Sequence, residues 1–324
     1  MLSSQKLTAA AVTVDCLTYP ATALQEQGAE VYIVPLSATE ETAIPDCDVF
    51  VLNRPIREVQ ADAVEHLVSL GKRVVVDADD SLDHLSVKHS MYGIDTTHLH
   101  RACKAATAIT VTTPALADVY GYGKAITVPN YIPSWYLDVK PNFHHDKVWV
   151  SWYGTTISHP GDLQSAEGGI AKAMNNTKAE MMYIGPRTES AKVREALNWK
   201  GSMQTSGWFD DQELLFEAIA NADVGVVPLK KSYFNNCKSW LKMAEFASVG
   251  VVVIGSPTKP NIEINKLGVG LLAKSKSHWY WQLMRLIENE AYRNEVAYNS
   301  KEAVRKHLVL ENNVDRFMSA WIGK

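Results

Sequence analysis

Short apolar runs alternate with longer amphipathic stretches along the whole chain, and this alternation limits the fold more than any other feature of the sequence. Runs that are apolar on both faces suit strands buried inside a parallel sheet. The stretches between them are long enough for the helices that parallel connections require. In the first half the runs fall at residues 10–14, 31–34, 49–52, 73–76, 108–112 and 125–128, with helical patterns at 61–70 and 97–106. A polar, aperiodic segment at 139–147, containing Pro141, interrupts the rhythm and reads as a linker. The rhythm restarts with runs at 148–153, 179–184, 202–205, 224–227, 251–254 and 270–272. Helical patterns at 162–174, 190–197, 210–219, 239–248 and 279–287 separate them, and 292–321 reads as a terminal helix. The expectation is an α/β chain of two Rossmann-like, doubly wound domains facing a cleft. Residues 1–140 form the first domain and 147–300 the second, and 301–324 form a helix free to pack back on the first.

A chain of 324 residues has the length for two such cores. Its net charge of −4 supplies no global attraction to a polyanion, although a local basic patch could still do so. Cys16, Cys47, Cys103 and Cys237 lie far apart and form no CxxC pair. Zinc ribbons and dithiol redox chemistry are therefore disfavoured, and the thiols read as buried and reduced. Neither a signal peptide nor a transmembrane run of about 18 apolar residues is evident, so a cytoplasmic location is expected. The first strand leads into Asp15, Cys16 and Leu17 rather than a glycine-rich turn, which argues against a dinucleotide dehydrogenase. No P-loop, GxSxG or HExxH pattern occurs.

The most informative stretch is 223–256, a strand followed by a polar loop, a helix and a second strand. Lys238, Lys242 and Glu245 are spaced i, i+4 and i+7, one face of a helix. A solvated charged stripe would have the same spacing and contribute only a few tenths of a kcal/mol. Position favours a ligand: a helix entered from a strand's carboxyl end presents free N–H groups and a dipole to a phosphate. Asn235, Asn236 and Ser239 add donors there. Glu245 could accept hydrogen bonds from ribose hydroxyls, and Gly250 ends the helix.

Phe234, Asn235, Lys238, Ser239, Lys242, Glu245 and Gly250 together resemble the donor-binding motif of GT-B glycosyltransferases. The resemblance is to the retaining family 4-like group, especially its compact bacterial and phage-encoded members. It implies that the helix entry binds the donor diphosphate and that Glu245 binds the ribose. Many members carry an earlier glutamate that contacts the sugar; Cys237 stands at that position here. Residues 148–162 resemble the first strand and loop of the donor domain, in which Gly154, Thr155 and Thr156 would offer N–H groups and hydroxyls to a phosphate. The same residues also make ordinary turns, and His159 and Asp162 read equally as the loop's own cap. Gly185, after a strand, and Gly207-Trp208-Phe209 resemble the region that receives the base; ordinary core packing is the alternative for Trp208 and, slightly more so, for Phe209. Val128-Pro129-Asn130-Tyr131 resembles the turn closing the first domain, with Asn130 in a structural role.

On the acceptor side, Asp77, Asp79 and Asp80 close a buried strand. Three adjacent carboxylates raise one another's pKa unless neutralised, so they suit a base or acceptor for a hydroxyl, or a cation site. Capping of the next segment by Asp79 or Asp80 is the plainer alternative. A DxD beside a strand also occurs in the metal site of the other glycosyltransferase fold. Because the donor motif lies elsewhere, no metal is assigned. The following segment carries His84, Lys88, His89, His98, His100 and Arg101. Within it His84 and His98 are the candidate cleft residues, and Arg54, after the 49–52 run, joins them. The histidine spacing fits no zinc motif.

The resemblance implies transfer of a sugar from a UDP- or GDP-sugar to a hydroxyl, with retention and no further cofactor. Lys238, Lys242, Asp79 and Asp80 are the catalytic candidates. A glycan or protein acceptor leads, and a hydroxymethylated pyrimidine in DNA stands as the alternative. A sugar-nucleotide epimerase of the same fold and a non-catalytic two-domain sugar-binding protein are the rival readings.

Overall fold

The computed structural model describes residues 6–11, 17–35, 46–141 and 144–323; Asp15 and Cys16 lie outside them. Two six-stranded sheets stand in tandem. The first contains β1 (Lys6–Ala11), β2 (Glu30–Pro35), β3 (Val49–Asn53), β4 (Arg73–Ala78), β5 (Ala108–Val111) and β6 (Ala125–Thr127), in the order β2-β1-β3-β4-β5-β6. The second contains β7 (Trp149–Tyr153), β8 (Glu180–Ile184), β9 (Met203–Gly207), β10 (Val224–Val227), β11 (Val252–Gly255) and β12 (Leu271–Leu272), in the order β12-β11-β10-β7-β8-β9. All pairings are parallel. Strands β3, β10 and β11 are buried along their whole length, which is why they read as unbroken valine-rich runs rather than alternating ones.

Both sheets reverse direction of growth beside their first strand: between β1 and β3, and between β7 and β10. Ligands of doubly wound sheets bind beyond the strand ends at such a reversal. The segments after β3, β7 and β10 are therefore the ones to inspect.

Three regions depart from the sequence reading; of the run expected at 10–14, residues 12–14 lie outside the described residues, and the first strand is described over Lys6–Ala11. The pattern at 162–174 divides into a 3-10 turn at Leu163–Ala166 and a helix at Gly169–Thr177, with Gly168 left-handed (φ 74°) between them. The helix expected from residue 239 starts at Leu241. The stretch 292–321 is two helices, Glu290–His307 and Val314–Ile322. Between them Leu308–Leu310 runs alongside Ile132, with Ile132 N donating to Leu308 O at 2.8 Å and Leu310 N to Ile132 O at 2.9 Å. Because the first of these helices runs through residue 301, the chain turns back toward the first domain only after His307.

The last helix packs under the first sheet. Leu310, Val314, Phe317, Ala320 and Trp321 share a core with Val49, Val51, Val75 and Ala108. Arg73 fastens its end by donating to the carbonyls of Trp321 (2.6 Å) and Ala320 (3.0 Å). Burying an aromatic pair such as Phe317 and Trp321 contributes several kcal/mol, at ~1.5–3 kcal/mol per large side chain. The chain after His307 thus ties the second domain back to the first. Cys47, Cys103 and Cys237 are buried free thiols, and Cys237 lies in the core of the first domain although its sequence neighbours belong to the second. Among the described residues no helix is long and apolar enough to cross a membrane.

Candidate functional site

The helix Leu241–Ser248 begins beside the end of β7, and its first turn carries Lys242. The Lys242 ammonium donates to Tyr153 O at 2.9 Å, lies 3.1 Å from His159 Nε2, and sits over the Tyr153 ring at 4.7 Å. Gly154 leaves the space for it: with φ at +127°, a Cβ there would come within 2.8 Å of the lysine nitrogen. Burial, followed by the charge of Lys238, lowers the Lys242 pKa to about 7. An enclosed amine with so little to neutralise it is poised for an anion.

His159 and Asp162 complete this arrangement. His159 Nδ1 is 3.0 Å from Asp162 Oδ2, so the partners fix Nδ1 as donor and Nε2 as the acceptor facing Lys242. Burial and Lys242 hold His159 below its usual range, which keeps it neutral. Burial opposes ionisation of Asp162, but hydrogen bonds from His159, Lys230 N (3.0 Å) and Asn235 Nδ2 (2.8 Å) keep it a carboxylate. The pair caps its loop and also positions the lysine.

Several polar groups expected to be open, some as donors and some as acceptors, are engaged within the protein. Gly154 N donates to Ile184 O at 3.0 Å. The Thr156 amide and hydroxyl both donate to buried Glu189, the hydroxyl at 2.8 Å, and Thr155 Oγ1 accepts from Ser158 N at 3.3 Å. Asn235 Nδ2 is shared between Asp162 and Lys230 O. Asn236 Oδ1 accepts from Lys259 N at 3.2 Å. Ser239 Oγ accepts from Leu241 N at 3.3 Å and from Asn130 Nδ2 at 3.1 Å, and Trp240 Nε1 donates to Asn130 O at 3.0 Å. The turn at Asn130 thereby anchors the helix entry to the first domain.

Lys238 also differs from expectation. A short helix, Tyr233–Cys237, ends at Lys238, whose backbone is extended (φ −62°, ψ 153°). Lys238 is therefore not on one helical face with Lys242 and Glu245. Its ammonium instead reaches across the cleft to 3.9 Å from Asp80 Oδ1 and lies 4.6 Å from the Phe234 ring centre. Glu245 is buried and accepts from the Tyr153 hydroxyl, which turns its carboxylate toward the end of β7. Gly185 is buried where a Cβ would strike Gly154 O at 2.4 Å, whereas Trp208 stands 58% exposed and donates to Asp210 at 3.1 Å.

Opposite this group, Arg54 follows β3 with a left-handed backbone (φ 45°), unusual for a non-glycine residue. Its guanidinium lies 3.1 Å from Asp79 and 3.9 Å from Asp80. That cation faces both outer acids, and Lys238 approaches Asp80 from the other wall. Asp77 behaves differently: both its oxygens are held inside the sheet, by Asn53 Nδ2 (3.1 Å) and Thr110 Oγ1 (2.5 Å). Burial, then Asp79, pushes its pKa to about 7. Asp77 thus ties β3, β4 and β5 together and does not face the cleft as expected. His84 accepts or donates at Ser81 Oγ (2.7 Å) and packs on Tyr233 across the domain boundary, ring centres 4.4 Å apart. His98, on the helix Thr97–Ala105, makes no hydrogen bond or ion pair with the other candidates, and its Nδ1 is buried without a partner.

Sequence reading missed Tyr153, Glu189 and Tyr233. Tyr153 and Glu189 act through partners 92 and 33 residues away, and nothing local marks them. Tyr233 lies next to the recognised motif and bridges to Ala115 O at 3.3 Å.

No protein-family model matches the chain, and no curated protein matches it. Solved structures do resemble it. A sucrose-phosphate synthase from Thermosynechococcus elongatus superposes with a TM-score of 0.71 at 15% identity over 98% of each chain. HepE from Anabaena in complex with UDP gives 0.64 at 11% identity, over 98% of this chain and 99% of that one. A UDP-forming α,α-trehalose-phosphate synthase from Burkholderia xenovorans gives 0.65 at 12% identity over 99% of both. Likeness over nearly the whole length of each chain, together with the two parallel sheets, shows the fold to be two Rossmann-like domains facing a cleft, the GT-B arrangement.

Proposed function

We propose that this protein is a glycosyltransferase that moves a sugar from a nucleoside-diphosphate donor to an acceptor hydroxyl. The observation that carries the reading is Lys242, an enclosed amine at the junction of the β7 end and the entry of the helix Leu241–Ser248, the ordinary place for a phosphate. In this reading the donor diphosphate lies against Lys242, Lys238 and the helix entry. Charge grows on the leaving diphosphate as the glycosidic bond breaks, and cations fixed in advance stabilise it without reorganising. Lys238 needs only to exchange its distant contact with Asp80 for the phosphate. Glu245 takes the ribose hydroxyls, and exposed Trp208 offers a face to the base near Gly185. The engaged donors of Gly154 and Thr156 are not required.

On the other wall, the Asp79 and Asp80 carboxyl groups lie beside Arg54 and can accept a hydrogen bond from the attacking hydroxyl. UDP heads the nucleotides to test, because HepE was solved with UDP and the trehalose-phosphate synthase is UDP-forming. The resemblance to retaining enzymes extends the proposal to retention of configuration. A thermal-shift screen with UDP, GDP, ADP, TDP, CDP and free sugars tests the reading. Stabilisation by one nucleoside diphosphate is expected. A shift with a free sugar and none with any nucleotide would replace it by the binding-protein reading.

A further inference from the structure

A cavity of about 620 Å³ opens between the domains beside the proposed donor site, lined on one side by Thr156 and His159 and on the other by Ser86–Lys88. Lys88, Lys192 and Lys230 contribute to its wall, and Glu195 is the only acid that does. Among the described residues none of these three lysines has a carboxylate within ion-pair distance, so their charges are available to an anion in the cavity. His159 adds no negative charge, being neutral and turned toward Lys242. An adjoining chamber of about 210 Å³ shares Ser86, Pro160 and Lys230 with the first cavity and is closed by His84, His89, Asn235 and the Asp162 carboxylate, which suits a hydroxyl there and leaves the phosphate to the larger cavity. Asn235 is 1% exposed, and its Oδ1 has no hydrogen-bond partner. A buried acceptor left open in this way costs about 1–3 kcal/mol, a cost that a ligand hydroxyl would remove.

Resting on the transferase reading, we infer that the acceptor is a small phosphorylated polyol or sugar. Its phosphate is held by Lys88, Lys192 and Lys230, and a hydroxyl reaches Asn235 Oδ1. The larger chamber, at about 620 Å³, has the size of a small-molecule site. The surrounding chain, at net charge −4, supplies no wider positive field for a long polyanion.

Titration calorimetry with inorganic phosphate, at saturating UDP so that the donor site is filled, tests the assignment. The triple variant Lys88→Gln/Lys192→Gln/Lys230→Gln should weaken phosphate binding about tenfold or more and leave the UDP affinity unchanged. Glu195→Gln, which removes the acid on the wall of the larger cavity, should tighten phosphate binding about two- to threefold. Unchanged phosphate affinity in the triple variant would overturn the inference, as would direct competition between phosphate and UDP. Tighter binding of a duplex oligonucleotide than of phosphate, lost in the same variant, would overturn the small-acceptor part. If UDP itself does not bind, the transferase reading fails, and the phosphate comparison without UDP still decides the cavity.

Discussion

Binding of a nucleoside diphosphate should draw a proton onto Lys242, and the structure sets the size of the effect. Burial lowers this lysine from 10.5 to about 7 in the empty protein. That shift corresponds to roughly 5 kcal/mol against the charged form. A diphosphate placed against the amine favours the charged form and returns its pKa toward the ordinary value. At pH 8 the empty site would be about one-tenth protonated and the occupied site almost wholly so, an uptake of about 0.9 proton per nucleotide. The terminal phosphate is already ionised at that pH and adds nothing. Affinity should therefore fall by nearly tenfold per pH unit above about 7. Calorimetry of UDP binding in buffers of different ionisation enthalpy reads the proton count directly. In Lys242→Met the uptake should vanish and turnover fall by about 10²–10³. The empty variant should gain roughly 2–3 kcal/mol of stability at pH 7, the desolvation cost less the lost bond to Tyr153 O. Uptake near zero in the parent protein, or equal uptake in the variant, would refute the reasoning.

Gly154→Ala places a methyl 2.8 Å from the Lys242 nitrogen at φ +127°, so it should cost about 1–3 kcal/mol in chemical denaturation and displace the lysine. Glu245→Gln should weaken nucleotide binding about tenfold, measured as the UDP dissociation constant, while the Asp79→Asn variant should slow transfer with that constant unchanged. His159 is held neutral in the fold, so its folded pKa lies below its unfolded value. The unfolded chain then binds the extra proton as pH falls below about 6.5, and stability is lost on acidification from there. Denaturation midpoints of His159→Gln should be flatter over that window; parallel curves for parent and variant would remove His159 as the cause.

What the sequence disclosed was set by how local each signal is. Strands such as β3, β4 and β10 stood out because burial on both faces leaves continuous apolar runs. The helix Ser190–Leu197 has its expected bounds, and Gly250, left-handed at φ 83°, ends the site helix as expected. Lys238 misled because K-x-x-x-K-x-x-E has helical spacing, yet no Gly or Pro marks the break at 238. The break comes from tertiary contacts: Ser232 caps the short helix before it, and Thr113 of the first domain hydrogen-bonds to Cys237 O. The split within 292–321 arises likewise from pairing with distant Ile132. Two short helices with proline in their first turn, Pro114–Tyr120 and Lys259–Lys266, carry only an N-cap threonine and too few residues for a clear apolar period. Of the candidate site, Lys242, Glu245, Arg54 and Asp79 are singled out by local sequence alone. The engagement of Thr156 by Glu189, and of Asp77 by Asn53 and Thr110, is not, because it depends on side chains that only folding brings together.

The most direct test of the central claim is a crystal structure of the protein soaked with UDP. The account predicts the diphosphate within hydrogen-bond distance of the Lys238 and Lys242 ammonium groups, with ribose hydroxyls on Glu245. UDP bound elsewhere with both lysines unchanged, or a site that accepts free sugar but no nucleotide, would contradict it.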